Sequence, residues 1–173
     1  MAYHMSRGIK VRLSFKLKHH FFSAFRELFV HHHGSLEFRA KLFALIISAN
    51  EDANVENYSI IKNIGIEVYK YDEDRANLLM LSTKELVKKV TEKNGLDIDT
   101  LISNIQKELR HAPRYAKKID IESLRQLISL SHDRDIISYQ ENIIEFLKNI
   151  KEDTLNEKKL QIAKDEEKVE SKY

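Results

Sequence analysis

The chain has no cysteine, no tryptophan, a single proline and four glycines. Without thiols there can be no disulfide, no thiolate nucleophile and no zinc finger, and a reducing, cytoplasmic setting is the natural expectation. One proline and four glycines across 173 residues supply too few turn residues for a β-sandwich or barrel. Long apolar runs are missing too. The longest, Leu42 to Ala49, is far short of the ~20 residues that span a bilayer. Near the N-terminus, Lys10, Arg12, Lys16 and Lys18 interrupt every stretch that might serve as a signal-peptide core. No Gly-rich phosphate loop, nucleophile elbow or His-Glu-x-x-His motif occurs, so no catalytic apparatus is expected.

Leu, Ile, Lys and Glu fill the long stretches that remain, with 42% of residues hydrophobic and 32% charged. That balance predicts one soluble, all-α domain able to bury a core without covalent staples. The net charge is only +2, but residues 1–26 hold six Lys or Arg and no Asp or Glu, so the remainder is net acidic. Residues 9–18 alternate apolar and polar without any comparable partner strand, and are expected to form an extended or helical arm. Phe21, Phe22, Phe25, Leu28 and Phe29 then fall on one face of a helix that ends before Gly34.

Residues 36–49 are apolar around most of a helical circumference and predict the central core helix. After the polar break at 50–54, a second helix carries Val55, Tyr58, Ile61, Ile64 and Val68, with Asn54 as its expected cap. Asp72, Glu73 and Asp74 open a third helix that Asn94 and Gly95 should stop. Leu101, Ile102, Ile105 and Leu109 mark a fourth, ended by Pro113, and Asp120 starts a fifth through Leu124, Leu127 and Ile128. Ser138 and Glu141 read as a capping box for the last helix. Its pattern fades past Leu155, so a boundary is expected near 152. The expected divisions are an arm over 1–35, a helical domain over 36–152 and a charged tail over 153–173, either solvated helix or disordered.

Residues 45–64 align with 127–146 at a fixed offset: Leu45 with Leu127, Glu51 with Asp133, Val55 with Ile137 and Ile61 with Ile143. Each unit is an apolar helix, an acidic loop, a β-branched residue and a second helix. A compact bundle of six to seven helices with two pseudo-repeated helix-turn-helix units is therefore predicted. In LFALIISANEDANVENYSIIKNI and LISLSHDRDIISYQENIIEFL this layout resembles the tellurite-resistance TerB-like family, over roughly residues 36–150. Asp133 stands at the family's acidic loop position and Glu141 at the glutamate of the following helix. The loop glycine of the family is absent from both units, and Ser59 stands where the first should offer its second carboxylate. The resemblance implies a non-catalytic interaction or stress-response module that binds a divalent cation weakly. Such domains also accompany J-domain co-chaperones, but Pro113 is not in a His-Pro-Asp motif.

Glu51, Asp52, Asp133, Asp135 and Glu141 are the candidate ligands for Ca²⁺ or Mg²⁺, which take several oxygen donors. The competing reading makes them turn and cap residues, since neither loop has the spacing of an EF-hand. Consecutive His31, His32 and His33 would point about 100° apart on a helix and cannot face one ion together. Ser131, His132 and Asp133 are sequence neighbours, whereas hydrolase triads assemble from distant residues. Tyr69, Tyr71 and Tyr115 lie near Lys or Arg, but no nucleic-acid motif accompanies them and no nucleic-acid partner is expected. Lys10, Arg12, Lys16, Lys18, Phe21, Phe22, Phe25 and Phe29 form a basic, aromatic surface. It suits an unidentified protein partner, a homodimer made through the arm, or a membrane-peripheral adaptor on an anionic bilayer.

Overall fold

Nine of the fifteen residues from Gly34 to Ser48 are buried, so the first helix (α1, Gly34–Ser48) has core on nearly all sides, as its unbroken hydrophobicity predicts. The computed structural model describes residues 34–50, 55–128 and 132–170, and Ser35–Tyr173 clusters as one compact unit. Among the described residues there are six α-helices, one 3-10 helix and no strand. The helices after α1 are α2 (Val55–Val68), α3 (Glu73–Thr91), α4 (Ile98–His111), the 3-10 helix Pro113–Lys118, α5 (Ile121–Ile128) and α6 (Arg134–Glu170). No helix among them is long and apolar enough to cross a membrane. The basic arm, including the Phe21 to Phe29 stripe and His31 to His33, lies outside the described residues.

Four of the helices begin on aspartates. Asp72 Oδ1 accepts the Arg75 N–H at 3.0 Å, Asp97 Oδ1 that of Thr100 at 2.7 Å, and Asp133 Oδ1 that of Asp135 at 2.8 Å. Asp120 accepts the Ser123 hydroxyl at 2.6 Å. Each supplies an acceptor to N–H groups with no partner inside the helix. The last of these caps corrects the sequence reading: α6 starts at Arg134, so Ser138 and Glu141 lie inside it and form no capping box. Asp133 wins because its carboxylate reaches a free N–H one turn earlier.

The helix ends are less expected. The Tyr71 N–H donates to the Ile66 carbonyl and Lys70 to Glu67, while Asn94 donates to Lys89 and Lys93 to Val90. Both patterns are Schellman closures, and their left-handed positions are Lys70 (φ 53°) and Lys93 (φ 51°), not glycine. The stop assigned from Asn94 and Gly95 is therefore real but displaced by a residue or two. Pro113 follows the end of α4 at His111 and opens the 3-10 helix, which carries the chain into α5.

α2 packs most closely on α3, and Gly65 is the reason. A Cβ there would stand 2.9 Å from Ala76 Cα, closer than real atoms approach, so the two backbones meet where neither carries bulk. Of the two predicted helix-turn-helix units, α5 and α6 pack on each other, and α6 also covers the 3-10 helix and α4, whereas α2 of the first unit packs chiefly on α3 rather than on α1. The two predicted units meet through α2 and α5. Leu45, Leu127, Ile61 and Ile143 are all buried as the alignment of the units expects, but Val55 is 80% exposed where Ile137 is half-buried. The units thus share an inner face and differ at the helix start.

Side chains anchor α1 to its surroundings. Phe38 meets Tyr115 with ring centroids 5.2 Å apart. Gln140, 2% exposed, donates its amide to the Ile46 carbonyl at 2.9 Å. Lys41 pairs with Glu37 on its own helix and with Glu108 on α4. Burial alone would lower the Lys41 ammonium, but the two glutamates outweigh it and hold its pKa above the ordinary lysine value.

Candidate functional site

Of the five proposed cation ligands, Glu51 and Asp52 lie outside the described residues. Asp133 is committed to the α6 N-terminus, where its Oδ1 also faces the Ile136 N–H at 3.4 Å. Glu141 takes both of its oxygens to the Arg125 guanidinium of α5, each at 3.1 Å. Asp135 is exposed in the first turn of α6, where a negative charge suits the helix dipole. Among the described residues no three His, Cys, Asp or Glu side chains come together as a metal site would need. What the acidic residues of the second unit do in this structure is cap one helix and clip α5 to α6.

The tyrosines separate as well. Tyr115 packs on Phe38, with the Arg114 guanidinium 5.3 Å from its ring centroid. Tyr71 is 81% exposed in the α2–α3 turn. Tyr69 lies beneath the Arg39 guanidinium at 5.9 Å, and burial pushes its phenol up against the opposing pull of Arg39 and Arg75. Of the proposed triad letters, His132 is exposed and Ser131 lies outside the described residues.

A wider concavity lies elsewhere. From Lys148 to Glu170 no residue of α6 is buried, yet the helix continues without a break. Propagation costs little once a helix is nucleated, and the buried half through Leu147 provides the nucleus. Gln161 adds a pair of hydrogen bonds to Asp165, at 3.0 and 3.1 Å. Because α6 runs on past the bundle, its flank and the end of α4 enclose a groove of about 720 Å³, well inside the range of ligand-sized pockets.

One wall of that groove carries Arg110 and Arg114, and the other carries Asp153, Glu157 and Lys158, with Leu109, Ile150 and Ile162 between them. None of the five charged side chains forms an ion pair among the described residues. Thr154 is the one hydroxyl in the lining, and it donates to the Ile150 carbonyl at 2.6 Å, so it is not poised as a nucleophile. Chemically the groove offers charge of both signs around a mainly apolar lining, which suits recognition of a polypeptide. Sequence reading missed it because its walls come from segments some forty residues apart. The one available signal was the helical spacing that carries Leu155 and Ile162 into the charged C-terminal stretch.

No protein family, no curated protein and no solved structure matches this chain.

Proposed function

We propose that this chain is a non-catalytic interaction module of the kind its TerB-like resemblance implies, receiving a protein partner along the groove between the end of α4 and the projecting half of α6. The observation that supports this reading is the projecting helix itself. Leu160 is 63% exposed, Ile162 48% and Val169 59%, on a helix that contributes no buried residue beyond Leu147. Exposed apolar side chains on a projecting helix, beside charged groups of both signs without ion-pair partners among the described residues, match the composition of an interface rather than of a core. The stress-response setting rests on the resemblance alone.

The test compares the full chain with two variants, one ending at Leu155 and one carrying Arg110→Glu and Lys158→Glu. Affinity capture followed by chemical cross-linking should recover a partner with the parent chain and lose it with both variants. Their thermal midpoints should stay within a few degrees of the parent, since the removed groups are exposed. Capture of the same partner at the same yield by both variants rules the groove out.

A further inference from the structure

A second groove, of about 280 Å³, opens between α1, the end of α2, the 3-10 helix and α5. Its floor is apolar and deeply buried: Leu42 is 2% exposed, Phe43 4%, Ile119 0% and Leu124 1%. Its walls carry Arg39, Lys117, Lys118 and Lys151, four cations drawn from three elements. The one carboxylate in the lining, Asp120, is engaged at both oxygens by Ser123, through the backbone N–H at 3.5 Å and the hydroxyl at 2.6 Å. None of the four cations forms an ion pair among the described residues. Lys151 is held in place by a 2.8 Å hydrogen bond to the Ile119 carbonyl, and Arg39 by a 3.3 Å bond to Ser35 and by its position over the Tyr69 ring.

Four cations against the single carboxylate of Asp120 leave the lining with an excess of positive charge, and low-dielectric walls strengthen that field. A purely inorganic anion would satisfy the walls and leave the apolar lining, with half-buried Val68 at its edge, without a ligand contact. A purely apolar molecule would satisfy the floor and leave the charges unmatched. We propose that this groove binds a small amphipathic anion, a single acyl chain of medium length bearing a carboxylate, with the chain on the Leu42 and Leu124 floor and the headgroup among Arg39, Lys118 and Lys151. The volume sits just below the usual range of small-molecule sites and admits one such chain. Charge-assisted hydrogen bonds from lysine and arginine to carboxylate are the interactions that fix the headgroup. The site is separate from the groove proposed for the protein partner and does not depend on it.

Isothermal titration calorimetry on the full chain, with decanoate, decanol and acetate as probes, tests the proposal. Decanoate should bind saturably at one site, with an affinity that falls as salt rises. Decanol and acetate should each bind at least about tenfold more weakly, since each lacks one half of the recognition. Lys118→Gln with Lys151→Met should weaken decanoate by about tenfold or more. If that pair perturbs folding, Lys117→Gln with Lys118→Gln removes two charges closer to solvent and should act in the same direction. Equal binding of decanol and decanoate, equal binding of acetate and decanoate, or unchanged binding by the lysine variants would each overturn the proposal. So would binding to anionic vesicles with no binding of monomeric decanoate.

Discussion

At the scale of single residues, aspartate and lysine do work that composition alone would assign to solubility. Four aspartates close helix N-termini, and two lysines close C-termini in a conformation that glycine adopts more readily. A left-handed L-residue costs about 1–2 kcal/mol, and glycine loses up to about 1 kcal/mol of that advantage to its unfolded-state entropy. Lys93→Gly should therefore raise stability by about 0.5–1 kcal/mol, read as a higher midpoint in urea denaturation with unchanged slope. A lower midpoint would mean that Lys93 makes a stabilising contact which outweighs its backbone strain. Sequence reading placed the α3 stop at Asn94 and Gly95 because glycine is the usual signal. The structure puts the left-handed turn at Lys93 as well, with Gly95 at φ 74°.

At the scale of elements, α6 behaves as two helices in one. Through Leu147 it presents Gln140, Ile143, Ile144 and Leu147 to the core, and beyond that it is solvated. Its last turns hold Asp165, Glu166, Glu167 and Glu170 against Lys168, a charge order that opposes the helix dipole and favours fraying from the C-terminal end. Hydrogen exchange should show the contrast directly. Amides in α1 should exchange only through global unfolding, while those of residues 156–170 should exchange orders of magnitude faster, with protection falling towards Glu170. Uniform protection along α6 would mean that a second chain covers the projecting half. Burial along α6 ends at Leu147, ahead of the boundary expected near 152, and the charge pattern alone left open whether the helix ends there too.

For the molecule as a whole, stability depends on ties between α1 and the elements around it. The Lys41 pair with Glu108 joins α1 to α4, and Gln140 joins α6 to the α1 backbone. Since the folded state holds the Lys41 pKa above its ordinary value of 10.5, the contribution of that ammonium is fully present below the unfolded pKa. It is lost as pH rises through the folded one. Stability should fall above about pH 10.5, and Lys41→Met should flatten that part of the profile in urea denaturation measured between pH 8 and 11. The variant separates Lys41 from Tyr58 and Tyr69, whose raised pKa values act in the same alkaline direction. An unchanged alkaline slope in Lys41→Met would assign the loss to the tyrosines.

The sequence by itself determined the all-α class, the identity of the core helix and most inner faces. Those follow from local periodicity, and Leu36 to Ile47, Leu101 to Leu109 and Leu124 to Ile128 are buried much as their spacing requires. It also placed Asp72 and Asp120 at helix starts and weighed Asp133 as a cation ligand beside its role as a cap, while the cap at Asp97 went unread. Tertiary structure decided what no local pattern contains. It set the pairing of Glu141 with Arg125, the near contact of Gly65 and Ala76, the 3-10 segment after Pro113, and the two grooves. Apart from the 3-10 segment, the physical reason is the same each time: these features join residues on different helices, and their energies exist only once packing has brought them within a few ångströms.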